Sequence, residues 1–219
     1  MQTKERFTFA GLEISRGPVF FHQGKFVHPE SFAVPYGWKI NSYEKAFGKT
    51  DGSTYFNWNE VRDINLDGWR LPTKDEWEKI VETSRRGAVY NGKPGSCFAL
   101  IQVDVPFAGR ETCNGVLLFP DDAVINGIEI GNINQCYKDD VSELNLNVLL
   151  KQGCMFLPAS GCYDSDVDGW YYGGNEGNYW SSTQNGTNDA WCLEIDGGDV
   201  SKSGIDKSCY YCSVRLVRE

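Results

Sequence analysis

Residues 68–77 read Gly-Trp-Arg-Leu-Pro-Thr-Lys-Asp-Glu-Trp, and this stretch contains the clearest helix start in the chain. Thr73 and Glu76 have the spacing of a capping box, in which the threonine hydroxyl accepts a first-turn amide and the glutamate accepts the amide of the cap. Trp77 and Ile80 follow at helical spacing. The stretch therefore predicts a helix that begins at Thr73 and buries Trp77.

Short strands and turns are predicted on both sides of this helix. The N-terminal segment has the apolar runs and Gly-centred turn of a β-hairpin, and a shorter helix is predicted from Asn59 to Ile64. Residues 97–160 alternate short apolar runs with polar turns, and small polar residues dominate from Gly161 onward. Together these features predict an α+β fold with two helices, many short strands and long loops.

The composition argues against several classes of protein. The 219 residues carry a net charge of −9, whereas nucleic acids and anionic membranes favour a basic surface. No apolar run approaches the roughly 20 residues that span a bilayer, and the first residues lack the apolar core of a signal peptide. The two histidines are too few for a multi-histidine metal site and make a Ser-His-Asp triad improbable. We therefore expect neither a nucleic-acid partner nor direct membrane insertion.

Eight cysteines occur, but their spacing fixes no disulfide pairing. Because the chain starts without a signal peptide, reduced thiols are expected. Cys209 and Cys212 form a lone Cys-x-x-Cys with no second pair and no nearby histidine, so this motif is weak evidence for zinc.

Three further segments follow the helix start in a fixed order. They are Phe156-Leu157-Pro158-Ala159-Ser160-Gly161, Gly177-Asn178-Tyr179-Trp180-Ser181-Ser182-Thr183 and Ser213-Val214-Arg215-Leu216-Val217-Arg218. With residues 68–77, they resemble the C-type-lectin-like fold of the formylglycine-generating-enzyme superfamily, which has short antiparallel strands. More narrowly, the chain resembles the Fibrobacter-succinogenes major paralogous domain and the variable proteins of diversity-generating retroelements in gut bacteria and their phages. The resemblance implies one domain over residues 55–219 and an N-terminal β-hairpin extension over residues 1–54.

The resemblance also implies a rule for which residues vary. In the variable proteins, the two adenines of template asparagine codons are diversified, and the encoded residues include Tyr, Ser, Cys, Asp, Gly, Asn, Ile, Phe and His. Trp, Glu, Gln, Lys and Met are never produced. By this rule the fixed framework includes Trp191, Glu194, Lys202 and Lys207.

Strand alternation gives a compatible division. It directs Trp191, Leu193 and Ile195 to the core and leaves Cys192, Glu194 and Asp196 on the other side. The preceding loop, residues 162–178, combines Tyr and Trp with Gly, Asp and Asn, the composition of antibody-type binding loops. The predicted ligand-binding residues, within a variable region of about 161–213, are Tyr163, Trp170, Tyr171, Tyr172, Cys192, Asp196, Asp199, Ser201, Ser203, Ile205, Asp206, Ser208, Cys209, Tyr210 and Tyr211. Two alternatives remain open: the positions from Cys192 onward are an ordinary polar surface loop of small residues, and the aromatic residues of the 162–178 loop fold back to hold it.

The resemblance implies a non-enzymatic recognition protein that needs no cofactor. Its diversified surface would bind a protein or glycan ligand on another cell, in a receptor-binding or adhesion role. Such a protein is expected outside the cell or on the virion, for example on a phage tail tip.

Two alternative functions remain open at this point. The first takes Cys209 and Cys212 as the copper-binding pair of a formylglycine-generating-type cysteine oxidase, although their spacing is closer than in that family. The second is a calcium-stabilised carbohydrate-binding module. Asp164, Asp166 and Asp168 match the start of an EF-hand loop, but the twelfth position is Asn175.

Overall fold

Strands make up most of the fold. The computed structural model describes residues 7–27, 48–49, 53–82, 89–90, 93–94, 97–107, 109–126, 140–196 and 198–219. Of these residues, 49% lie in strands and 12% in three helices. The predicted α+β class with two helices is therefore wrong, because the described part of the chain is mostly β.

The helices are α1 Trp58–Val61, α2 Lys74–Ile80 and α3 Glu143–Lys151. The predicted helix start at Thr73 is confirmed, since the Thr73 hydroxyl accepts the Glu76 amide and the Glu76 carboxylate accepts the Thr73 amide. Arg70 donates to both carboxylate oxygens of Glu76, at 2.8 and 2.7 Å. This guanidinium holds the pKa of Glu76 below its ordinary value. The helix is thus anchored to the segment that precedes it.

Helix α3 was not predicted. Its sequence, Leu144-Asn145-Leu146-Asn147-Val148, alternates in the manner of a strand. In the helix, Leu146, Leu149 and Leu150 share the buried face, while Leu144 is exposed. Because the exposed leucine adds to the strand-like alternation, the helical spacing of the three buried leucines is difficult to recognise in the sequence.

The described residues form these strands, in chain order: β1 Glu13–Ile14, β2 Phe20–His22, β3 Lys25–Val27, β4 Tyr55–Asn57, β5 Asn65–Leu66, β6 Trp69–Arg70, β7 Val89–Tyr90, β8 Lys93–Pro94, β9 Phe98–Asp104, β10 Cys113–Leu118, β11 Val124–Ile125, β12 Asp140–Ser142, β13 Met155–Pro158, β14 Cys162–Asp164, β15 Gly169–Tyr171, β16 Gly177–Asn185, β17 Asp189–Asp196, β18 Asp199–Asp206, β19 Tyr210–Ser213 and β20 Val217–Arg218. The largest sheet has the order β15-β14-β19-β16-β17-β18, with β4 also paired to β19. Two four-stranded sheets have the orders β12-β9-β10-β13 and β1-β20-β6-β5. Smaller sheets join β11, β7 and β8, and β2 with β3.

The β16–β17 region of the largest sheet is buried on both faces. Trp180 and Cys192 belong to one apolar cluster, which also contains Trp58 and Trp69. Leu193, on the other face, belongs to the cluster of Trp77 and Ile80 from α2. No described helix is long and apolar enough to cross a membrane.

The two ends of the described chain meet in one sheet. Strand β1 pairs antiparallel with β20, with Glu13 opposite Arg218, and the Val19 amide donates to the Val214 carbonyl. The N-terminal segment thus packs directly on the rest of the protein. The division into an extension over 1–54 and a domain over 55–219 stays a prediction, since residues 28–47 lie outside the described part.

Candidate recognition surface

Strand β17 alternates between two faces, as predicted for part of its length. Leu193 and Ile195 are buried against α2 and its neighbours. Trp191 is only half-buried, with the Lys74 ammonium 5.2 Å from its ring centroid. The prediction that Trp191 is a core residue is therefore wrong, because its ring lies under a lysine at the edge of α2.

The other face of β17 continues onto β18. The strand register places Glu194 opposite Ser201, Cys192 opposite Ser203 and Asp196 opposite Asp199. Opposite residues share a face, and Asp196, Asp199 and Ser201 are exposed there while Glu194 and Ser203 are half-buried. The structure thus brings together four predicted ligand-binding residues, namely Asp196, Asp199, Ser201 and Ser203.

Carboxylates from neighbouring segments converge on the same side. Burial, and then the charge of Asp196, raises the pKa values of Glu176 and Glu194. Burial, followed by the charges of Asp164, Glu176 and Glu194, raises the pKa of the Cys162 thiol to about 12. One buried thiol is therefore within electrostatic reach of all three carboxylates. We call the set Asp164, Glu176, Glu194, Asp196 and Asp199 the acidic face.

The segment that contains the acidic face carries much of the net charge of the chain. Residues 161–213 contain nine Asp and Glu against two Lys, which gives −7 of the total −9. Of the two lysines, Lys202 pairs with Glu78 of α2, and the Lys207 ammonium donates to the Thr187 carbonyl at 2.6 Å. Both cations are thus engaged away from the acidic face.

The β14–β15 hairpin places two tyrosines beside this face. Tyr171 is 37% exposed and Tyr172 is 58% exposed, and their ring centroids lie 5.8 Å apart. Tyr171 lies opposite Cys162 in the hairpin register, so both are on the side of the acidic face. Tyr210, opposite Asp164 on β19, is on the same side but half-buried.

The remaining aromatic residues point the other way. Tyr163 lies opposite Trp170 on β15 and opposite Tyr211 on β19, so the three side chains share the reverse face. Trp170 and Tyr211 pack against the core cluster that contains Phe107, and the Tyr163 hydroxyl donates to Asp168 at 2.6 Å. Of the loop aromatics, Trp170 thus follows the fold-back interpretation, whereas Tyr163 stays half-buried. The predicted single surface is wrong in this respect, because the strand pleat separates Tyr163, Trp170 and Tyr211 from Tyr171.

The last predicted residues occupy mixed positions. Cys192 is 2% exposed and Cys209 is 7% exposed, so neither thiol is available to a ligand. Ile205 packs against the cluster of Trp180. Asp206 accepts both the amide and the hydroxyl of Ser208, at 2.8 and 2.6 Å, and the two residues hold the turn before β19. Of this group, only Ser208 is exposed.

The calcium candidate is a hairpin tip rather than an EF-hand loop. Asp164 accepts the Asp166 amide at 2.9 Å, and Asp168 has a left-handed φ of 49° in the turn. Ligand atoms of Asp164, Asp166 and Cys209 lie within 4.8 Å of one another, but Asp168 is not part of this group. Calcium prefers oxygen ligands, so a thiolate in the group does not suit it.

The cysteine-oxidase candidate has no accessible thiol pair. Cys209 and Cys212 are buried free thiols, and burial raises the pKa of each, most strongly for Cys212. A reactive cysteine needs an accessible thiolate. The positions of these two residues therefore do not support oxygen activation.

Glu176 and Glu194 contribute to the acidic face but were not predicted as ligand-binding residues. The codon rule assigned Glu194 to the framework, although alternation had already placed it beside Asp196. Glu176 precedes β16, and its amide donates to the Tyr172 carbonyl at 2.9 Å. That backbone contact, which fixes Glu176 near the tyrosines, has no signal in the sequence.

Glu194→Gln is expected to stabilise the fold slightly at neutral pH. The folded-state pKa of Glu194 is raised, so its ionisation costs stability once the pH rises through that pKa. The gain should stay below about 1 kcal/mol because the side chain is half-exposed, and it should vanish at pH values where both states are protonated. Urea unfolding of the wild type and the variant, at neutral and at acidic pH, measures this difference in the free energy of unfolding. Asp104→Asn, at an exposed carboxylate on β9, is the control, and an equal gain there would contradict the interpretation.

The chemistry of the surface favours recognition. It presents exposed phenol rings, hydroxyls and carboxylates on one side of a sheet whose other side is packed on α2. Such groups provide contact area and hydrogen bonds. Comparisons with family models, curated proteins and solved structures found no match.

Proposed function

We propose that this chain is a non-enzymatic ligand-recognition protein. Its binding surface would be the acidic face together with Tyr171 and Tyr172. The observation that carries the proposal is that the exposed tyrosine pair at the end of β15 and the exposed Asp196, Asp199 and Ser201 of β17 and β18 belong to one sheet. Glu176 lies between the two groups, since its amide donates to the Tyr172 carbonyl and the charge of Asp196 raises its pKa. Tyrosines bury large areas at low entropic cost, and small polar residues adapt their hydrogen bonds to the ligand.

The physical basis for variation is the separation of surface from core. Asp196, Asp199 and Ser201 can change without altering Leu193 or Ile195, which pack on the other side of the same sheet. This arrangement supports the variable-protein resemblance, in which one scaffold displays many surfaces. The ligand would then be a protein or glycan on another cell, and the protein would act in adhesion or on a phage tail tip. A reverse transcriptase gene beside a near-copy of the 3′ coding segment would test the retroelement origin.

A double substitution, Tyr171→Ser with Tyr172→Ser, is expected to abolish most ligand binding and to leave the fold intact. Both rings are exposed, so each change should alter the free energy of unfolding by about 0.5 kcal/mol or less. A few aromatic anchors usually dominate such interfaces, so a loss of at least about tenfold in affinity is expected. Tyr210 and Tyr211 are unsuitable for this test because both are half-buried.

Fluorescently labelled protein would be screened on a panel of intact bacterial cells and on a glycan array. The strongest binder found with the wild type would then be titrated with the variant. The matched control is Val124→Ser with Leu144→Ser, which removes two exposed apolar side chains outside the proposed surface. Equal binding by the wild type and the tyrosine variant would contradict the proposal, as would an equal loss in the control.

A further inference from the structure

Three buried cysteines lie together under the candidate surface. Cys162, Cys192 and Cys212 belong to the same apolar cluster, and all three are free thiols. Burial, and then the nearness of the other two thiols, raises the pKa of Cys212. Their strands, β14, β17 and β19, belong to the same sheet, so the strand register decides which thiols can meet.

The register places Cys162 and Cys212 next to each other. Strands β14 and β19 are antiparallel, with Asp164 opposite Tyr210 and Tyr163 opposite Tyr211. The next position in this register sets Cys162 against Cys212. Directly opposite residues of antiparallel strands have Cα atoms about 4.5–5.5 Å apart, which lies within the range that a disulfide spans.

The other two cysteines of this region lie outside the register of β14 with β19. Strand β16 lies between β17 and β19, so Cys192 is two strands away from Cys212. The Cys192 thiol donates to the Asn178 side chain on the intervening strand, at 3.5 Å. The carbonyl of Cys209 accepts the Ser165 amide at 3.0 Å, which places Cys209 beyond the other end of β14. Among the cysteines of this sheet that the structure describes, the register therefore favours one pair.

We propose that Cys162 and Cys212 form a disulfide when the protein folds in an oxidising environment. Oxidised glutathione would be the oxidant. One cysteine thiolate attacks it and releases one glutathione, and the second thiolate then attacks the mixed disulfide and releases the other. The two cysteines lose two electrons and two protons, and oxidised glutathione is reduced to two glutathione molecules.

The bond would fix the hairpin that carries Tyr171 to the centre of the sheet. It would join β14 directly to β19, which also pairs with β4 and β16. Both thiols are buried in the folded protein, so glutathione has little access to them there. The disulfide should consequently form during folding and only slowly in the protein once it has folded reduced.

Refolding of the full chain from denaturant in a glutathione redox buffer tests the proposal. Peptide mapping after alkylation should find Cys162 linked to Cys212, and intact mass should show the loss of two hydrogen atoms. The oxidised protein should melt roughly 5–10 °C higher than the reduced protein, since the crosslink closes a long loop. When the same buffer is applied to protein that has already folded with reduced thiols, little of the Cys162–Cys212 disulfide should form.

Cys162→Ala and Cys212→Ala should each abolish the link and the melting shift. Cys192→Ala is the matched control, because it removes a buried thiol from the same cluster and should retain both. A dominant link that involves Cys192 or Cys209 would overturn the proposal. The proposal would also be overturned if the wild-type protein kept eight free thiols after refolding in oxidising buffer. Intact mass and alkylation count these thiols directly, so this outcome can be read even if a variant fails to fold.

Discussion

Replacing Trp180 with alanine is expected to destabilise the fold by about 4–5 kcal/mol. The side chain is 0% exposed and packs in the cluster that joins β16 to α1 and to the segment before α2. Its indole nitrogen donates to the Phe56 carbonyl at 2.7 Å. Truncation would therefore leave both a large cavity and a buried carbonyl that has lost its donor. Urea or guanidinium unfolding, followed by tryptophan fluorescence and circular dichroism, measures the loss.

Trp191→Ala is the matched control for this experiment. Strand alternation predicted a core position for Trp191, but the ring is half-buried, so its truncation should lower the free energy of unfolding by only about 1 kcal/mol. Trp180→Phe should fall between the two alanine variants because it retains most of the apolar volume. Near-equal losses at Trp180 and Trp191 would contradict the packing described for β16 and β17.

Gly161→Ala is expected to cost about 3–4 kcal/mol and to displace the hairpin that carries the exposed tyrosines. Gly161 has a left-handed φ of 69°, and an added Cβ would lie 2.3 Å from the Tyr171 carbonyl oxygen and 2.8 Å from the Gly173 nitrogen. Both neighbours are backbone atoms, which cannot turn aside as a flexible side chain can. The variant should therefore lose stability and alter the environment of Tyr171 together.

Gly186→Ala separates backbone strain from this contact. Gly186 also has a left-handed φ, of 62°, but an added Cβ would meet no atom within 4 Å. Gly186→Ala should therefore lower the free energy of unfolding only by the cost of the left-handed backbone conformation, about 1–2 kcal/mol. The difference in free energy of unfolding between the two variants then measures the cost of the steric contact between the added Cβ and the backbone near Gly161. If chemical unfolding gave the same loss for both, the hairpin would not pack against Gly161 as described.

The helix at residues 74–80 could be predicted because its signal is local. Thr73 and Glu76 are three residues apart and satisfy each other's backbone amides, so no distant contact is needed. Helix α3 depends instead on Leu146, Leu149 and Leu150 reaching a core built from remote strands. The alternation of Leu144, Leu146 and Val148 with asparagines is typical of a strand, and it competes with the helical spacing of the three buried leucines.

The candidate surface was predictable only in part, for a related reason. Alternation assigns residues to two faces, so Asp196 and Cys192 were placed on the same side, and this is what the register shows. It does not reveal which stretch of a face is covered. Trp58 and its neighbours cover the Cys192 end, while the Asp196 end remains open. The same limit applies to Tyr163 and Tyr171, whose opposite orientations depend on the pairing of β14 with β15 and β19.

The most direct test of the recognition surface is a substitution scan over residues 161–213 with two parallel sorts. Displayed variants would be sorted once for folded protein and once for binding to the bacterial strain or glycan selected by the wild type. Variants that fold but do not bind should concentrate at Tyr171, Tyr172, Asp196, Asp199 and Ser201. Positions such as Trp180 and Leu193 should fail both sorts, because these side chains are buried. Binding-specific losses concentrated outside the acidic face and the tyrosine pair would contradict the proposed recognition surface.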